Sequence, residues 1–284
     1  MIRANNGIGA AIGDMFGSPY EFVSPKSAFS LEEFWASHPD ERFREEDLSD
    51  FTDDTVLTAA VKQAVLDFQE GDPDKSFVDS VRENLILYAE TYLYQGYGEK
   101  FAEWVMSEEH EPYGSYGNGS AMRVSPVAYA SENIETVERL AELSAGVTHN
   151  SEEGIKGAKS IARAIYLLRN GHDKETVRKD ISEHFHYDLD VGYEEVVNSA
   201  YKLAYAGKLL NETCQTSVPQ AFIAFFASES FEDAIVKAVA IGGDTDTLAA
   251  MAGSLAEAYY GVPDYIVPAV REKLGMRLWK IFQG

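Results

Sequence analysis

The sequence predicts an all-α fold, a compact single-domain helical bundle over residues 1–284. Apolar residues recur at one-face helical spacing along most of the chain, and period-2 alternation of β-branched residues is almost absent. No repeat of fixed period and no Ser/Gly-rich linker divides the chain, and 45% hydrophobic composition over 284 residues suffices for one sizeable core.

Taken in order, the first element lies at Gly7 to Phe16. Gly7, Gly9, Ala10, Ala11 and Gly13 are small residues that permit close helix packing. The stretch is faintly signal-like, but Asp14 interrupts its apolar run. Gly7-x-Gly9 has the wrong spacing for a dinucleotide fingerprint. Ser24 to Asp50 stands apart: it is aperiodic, rich in Ser, Glu, Asp and Arg, and contains Pro25 and Pro39. Two readings fit it: a lid over a site, or a static excursion with a short helix at Leu31 to Ala36 that packs Phe34 and Trp35 onto the body.

Val56, Leu57, Ala60, Val61, Ala64, Val65 and Phe68 mark the next helix, and Gly71-Asp72-Pro73 ends it. Ser76 with Asp79 reads as an N-cap with an acidic N3 residue, as does Ser230 with Asp233. Ile155, Ala158, Ala162 and Ile165 define a helix that Asn170-Gly171 stops. Leu248, Met251, Ala252, Leu255 and Tyr259 define the last strongly periodic one.

The charge is lopsided, with 47 acidic against 24 basic residues and a net charge of −23. A field of that sign repels nucleic acid and anionic membranes, so neither is an expected partner. No apolar run reaches the roughly 18 residues of a membrane span. Cys214 is alone, which excludes an internal disulfide and fits a reducing, cytoplasmic setting; it reads as a small buried apolar residue. A monomer is expected.

Chemistry concentrates at two helix starts. Thr52-Asp53-Asp54-Thr55 opens one apolar-periodic helix, and Gly242-Gly243-Asp244-Thr245-Asp246-Thr247 precedes another. One such start is a cap, since the helix dipole favours anions there. Two of the same composition suggest a shared purpose. Together they supply four carboxylates and several hydroxyls, hard oxygen donors suited to Mg²⁺ or Mn²⁺, in numbers that favour two ions. Zinc is disfavoured: there is no Cys pair and no His-Glu-x-x-His, and His184-x-His186 reads as a solvated helix end. The Gly-rich stretch Gly114 to Arg123 offers backbone N–H groups to a phosphate, with a plain surface loop as the alternative. Thr148-His149-Asn150 is a polar cluster just before a helix.

In this order the motifs resemble the ADP-ribosylglycohydrolase family, which includes the glycohydrolase that reactivates dinitrogenase reductase. The matching pieces are Gly13-Asp14-Met15-Phe16-Gly17 with Tyr20-Glu21-Phe22, Thr52-Asp53-Asp54-Thr55, Gly117 to Arg123, Thr148-His149-Asn150, and Ser230-Phe231-Glu232-Asp233 running into Gly242 to Thr247. The resemblance implies an all-α fold around two divalent cations held by Thr52, Asp53, Asp54, Asp244, Asp246 and Thr247. It implies substrate contacts at Gly117, Asn118, Gly119, Ser120, Met122 and His149, with the Gly117 to Ser120 loop cradling a diphosphate. Glu21, on a movable flap, Asp54 and Asp246 are the expected catalytic carboxylates. The implied activity is removal of ADP-ribose from arginine- or serine-linked protein side chains. The rivals are an immunity or ADP-ribose-binding protein that neutralises an ADP-ribosylating toxin, and a metal phosphoesterase acting on a free nucleotide.

Overall fold

The computed structural model describes residues 7–23, 29–208 and 211–283. Among them the helices are α1 (Ile8–Gly17), α2 (Leu31–Ser37), α3 (Asp53–Asp67), α4 (Asp74–Thr91), α5 (Glu99–Met106), the one-turn α6 (Gly119–Met122) and α7 (Ile134–Gly146). Then follow α8 (Glu152–Arg169), α9 (Lys174–Phe185), α10 (Tyr193–Tyr205), α11 (Cys214–Phe226), α12 (Phe231–Ile241), α13 (Thr245–Tyr260) and α14 (Val267–Gln283). Short 3₁₀ turns link several of them. The only β-pairing among the described residues is an isolated bridge between Gly117 and Thr213. The all-α expectation therefore holds. No helix among the described residues is long and apolar enough to cross a membrane.

The centre of the molecule is the pair α1 and α13. Every residue of α1 is buried, as is α13 from Thr245 to Ala256. Glycine makes this possible. A Cβ at Gly9 would sit 2.3 Å from the Gly253 carbonyl oxygen, one at Gly13 2.0 Å from that of Ala249, and one at Gly17 2.5 Å from that of Thr245. These positions recur every four residues, one per helical turn on a single face. The opposing positions run in reverse order, so the helices are antiparallel with their backbones in contact. Consequently the C-terminal end of α1 lies against the N-terminal end of α13. The N-terminus of α1 is capped from outside: Gly7 and Gly9 N–H donate to Glu257 Oε2 at 3.1 and 2.9 Å.

The other helices wrap this pair in one continuous apolar core. Local signals set most of their ends. Thr52 caps α3, and Ser230 caps α12 by accepting from Asp233 N–H. Asn170 and the left-handed Gly171 close α8. Ser76 is not a cap: α4 starts two residues earlier, after Pro73, whose fixed φ of −60° suits a helix entry and whose missing N–H costs nothing there. Of the aperiodic stretch, Ser24, Pro25 and the residues to 28 lie outside the described part. From Phe29 onward it holds the short helix α2 and is pinned by buried Phe34, Phe43 and Leu48. Phe43 stacks on Phe16 of α1 at 4.6 Å and Phe34 meets it edge-on at 5.4 Å.

Candidate active site

The site is built where α1, α3 and α13 meet. Asp14, fully buried in α1, accepts from Thr52 N (2.9 Å), Thr52 Oγ1 (2.7 Å), Thr55 N (3.1 Å) and Thr55 Oγ1 (2.5 Å). One carboxylate thus fixes the first turn of α3 and with it Asp53 and Asp54. Across from it, Gly242 and Gly243 adopt φ of 82° and 81°, a bend that only glycine makes freely, and turn the chain into Asp244. Asp244 is the N-cap of α13, with Asp246 and Thr247 in its first turn. The flap is tied to this bend, since Phe22 N–H donates to Gly243 O at 2.7 Å.

Carboxylate oxygens of Glu21, Asp244 and Asp246 come within 4.8 Å of one another. Thr247 Oγ1 donates to Asp54 Oδ2 at 3.3 Å, while Asp54 Oδ1 is buried without any hydrogen-bond partner. Burial, and then repulsion from neighbouring carboxylates, pushes Asp53, Asp54 and Asp246 well above the usual carboxylate range. Burial likewise lifts Asp244 to about 6, against the hydrogen bonds that hold it down. Glu21 rises to about 7 through burial and the charge of Asp246. An orphaned buried carboxylate oxygen in such a cluster is costly as it stands and is a fitting donor to a divalent cation.

The remaining wall is the expected substrate loop. Asn118 donates from Nδ2 to Asp244 Oδ2 at 2.7 Å and from its backbone to Glu212 O at 3.0 Å. Asn211 accepts from Asp244 N–H at 3.1 Å and donates to Gly242 O at 2.9 Å, so it braces the bend from behind. The side chain of His149 closes against the glycines: a Cβ at Gly119 would lie 3.2 Å from His149 Nε2, and one at Gly117 3.6 Å from it. These residues enclose a cavity of about 340 Å³.

Glu21, Asp53, Asp54, Gly117, Asn118, Gly119, Met122, His149, Asp244, Asp246 and Thr247 all line that cavity. Two expected residues do not. Thr52 gives its hydroxyl hydrogen to Asp14 and keeps an oxygen lone pair for a cation, and the Ser120 hydroxyl turns inward to Gly154 O at 2.8 Å, beside buried Cys214. Ser120 Oγ thus supports the loop, and the loop's wall is backbone. Asp14, Arg123, Asn211 and Glu212 were given no role from sequence. For Asp14 a signal existed, a lone carboxylate inside an otherwise apolar, small-residue helix.

Comparison with known proteins identifies the family. The ADP-ribosylglycohydrolase family profile matches residues 7–281. The chain is similar to the ADP-ribosylhydrolase ARH3 of Homo sapiens, at 28% identity over 89% of this chain and 84% of that protein. It is similar to the ADP-ribosyl-dinitrogen reductase glycohydrolase of Rhodospirillum rubrum, at 30% identity over 54% of this chain and 50% of that one. A solved ADP-ribosylglycohydrolase-related protein complex shares the fold, with a TM-score of 0.67 at 22% identity, covering 99% of this chain and 96% of the other. Matched over nearly its whole length, the chain belongs to the ADP-ribosylglycohydrolase family.

Proposed function

We propose that this ADP-ribosylglycohydrolase depends on two divalent cations, Mg²⁺ or Mn²⁺, and removes ADP-ribose from arginine- or serine-linked protein side chains, reversing the modification. One observation carries the reading. Carboxylates from two helix starts and a flap converge on a single cavity, and Asp54 Oδ1 is buried there with no partner. Asp53, Asp54, Asp244 and Asp246, with the hydroxyls of Thr52 and Thr247, would hold the cations. Bound there, such cations would supply neutralising charge and would lower the pKa of a bound water.

The chain's own residues do the rest. Asn118, bonded to Asp244, couples the substrate loop to the ligand set. The backbone at Gly119 and the side chain of His149 orient the diphosphate, while the Gly117 and Asn118 N–H groups hold the loop to Ser115 and Glu212. Glu21 is the exposed carboxylate of the cluster, so it is the one positioned at the mouth to take the proton of an attacking water or to protonate the leaving group. Asp54 and Asp246, which line the same cavity, would act through the cations they hold.

Product analysis tests the reading on a panel of arginine-linked and serine-linked ADP-ribosyl proteins. ADP-ribose with intact acceptor is expected. AMP with the acceptor still carrying ribose 5-phosphate would mean a phosphoesterase, and binding without product would mean a binding or immunity protein. Chelation should abolish turnover reversibly, and Asp54→Asn should remove the thermal stabilisation that Mn²⁺ gives. Full turnover in excess chelator overturns the metal assignment.

A further inference from the structure

Behind His149 lies a buried polar chain that none of the roles above uses. Arg123 Nη2 donates to Thr148 Oγ1 at 2.7 Å, and Thr148 Oγ1 lies 2.7 Å from His149 Nδ1. Arg123, Thr148 and His149 are 1%, 0% and 5% exposed, and Arg123 and His149 reach the cavity wall while Thr148 does not. Arg123 comes from the residue after α6, and Thr148 and His149 from the turn between α7 and α8.

The chemistry of the three groups fixes the direction of every proton. A guanidinium only donates. Thr148 Oγ1 therefore accepts from Arg123, and its own hydrogen must go elsewhere. His149 Nδ1 is the one acceptor it meets among the described residues. If Nδ1 carried the proton instead, the Thr148 hydroxyl hydrogen would be stranded in the interior, the costly case of an unmade buried hydrogen bond. Burial, and then the nearby Arg123, holds the imidazole well below its usual pKa, so the ring is neutral and carries one proton only.

We infer that Arg123 and Thr148 are positioning residues that lock His149 in the Nε2–H tautomer and present that donor at the cavity wall beside Gly117 and Gly119. Nε2 has no hydrogen-bond partner among the described residues, and it stands at the cavity wall. The ligand atom it meets is therefore an acceptor, an oxygen of the diphosphate or of the adjoining ribose. That last step rests on the functional reading above; the tautomer itself does not.

Nitrogen NMR of protein with isotope-labelled histidine, assigned by subtracting the spectrum of His149→Gln, reads the relay without any substrate. Wild type is expected to show a pyridine-type Nδ1 and a pyrrole-type Nε2. Thr148→Val should change that signature and lower the affinity for free ADP-ribose about tenfold, the scale of one lost buried hydrogen bond. Thr148→Ser should restore both. A protonated Nδ1 in wild type overturns the inference whether or not any variant folds. So does a Thr148→Val protein with unchanged signature and unchanged affinity. A wild type with the expected tautomer that binds no ADP-ribose supports the relay and overturns the functional reading instead.

Discussion

At the scale of single residues, the site depends on what is missing from side chains as much as on what they carry. Gly119 has no Cβ, and one placed there would press within 3.2 Å of His149 Nε2 and fill the wall of the cavity. Its backbone is helical, so alanine is locally welcome there. Gly119→Ala is therefore expected to keep its melting temperature while binding ADP-ribose about tenfold more weakly, since the bonded geometry at His149 is lost. Calorimetric titration alongside a thermal melt separates the two effects. Equal affinity in the variant would mean that the ligand does not use this wall. Asp14 makes the converse point. Burial raises its pKa, and the four hydrogen bonds it accepts act against that rise while fixing the first turn of α3.

At the scale of elements, the contact of α1 with α13 sets how the two acidic helix starts and the flap meet. Gly13→Ala would drive a methyl group to 2.0 Å from the Ala249 carbonyl, which only a shift of the helix can relieve. The expected cost is at least about 3 kcal/mol, the upper range for overpacking. Because the shift moves Asp14 and the flap, activity should fall even below the unfolding transition. A denaturant titration with a parallel turnover assay checks both. A second junction is electrostatic. Arg163 of α8 binds Asp180 of α9 at 2.5 and 2.8 Å and Glu138 of α7 at 2.5 Å. Partial burial alone would raise the Asp180 pKa, but the hydrogen bonds and charge of Arg163 outweigh it and leave the carboxyl below its ordinary value. An acid whose folded pKa is depressed lends stability above its unfolded pKa of about 3.9 and loses it as pH falls through the folded value. Asp180→Asn should therefore be less stable than wild type at neutral pH and converge with it in strong acid. Parallel melting curves that never converge would remove Asp180 from the acid response.

At the scale of the whole molecule, the stretch from Phe29 to Asp50 behaves as part of the body. Phe34, Phe43 and Leu48 are buried, His38 bonds Asp47 at 3.0 Å, and Phe43 N–H donates to Tyr265 Oη at 2.9 Å, which in turn donates to Glu232. The sequence offered Phe34 as an anchor but not Phe43 or Leu48, each a single apolar residue set among charged and polar ones. Of the two readings open for this stretch, the static excursion is the one the packing favours. Amide exchange over residues 29–50 should accordingly be slow and should change little when ADP-ribose and Mg²⁺ are added. In the same samples, ADP-ribose at about 100 times its dissociation constant should stabilise the fold by roughly 2.7 kcal/mol. Ribose 5-phosphate, lacking the adenosine half, should do much less. Strong ligand-induced protection confined to 29–50 would restore the lid.

The sequence by itself determined what is local. Apolar periodicity gave the helices, and the Thr52 and Ser230 caps and the Asn170-Gly171 stop marked their ends, because these signals act across one turn of chain. It also exposed two acidic helix starts whose likeness suggested one site. Even locally it misplaced the start of α4, where Pro73 overrode the Ser76 signal. Only the tertiary structure decided how the pieces face one another. Asp14 reaches Thr52 and Thr55 across 38 and 41 residues, Asn118 reaches Asp244 across 126, and Arg123 reaches Thr148 across 25. No composition or spacing encodes those partners, since each forms only once helices distant in sequence have packed. The same holds for the Ser120 hydroxyl, which packing turned into the interior while its neighbours' backbone was left to line the cavity.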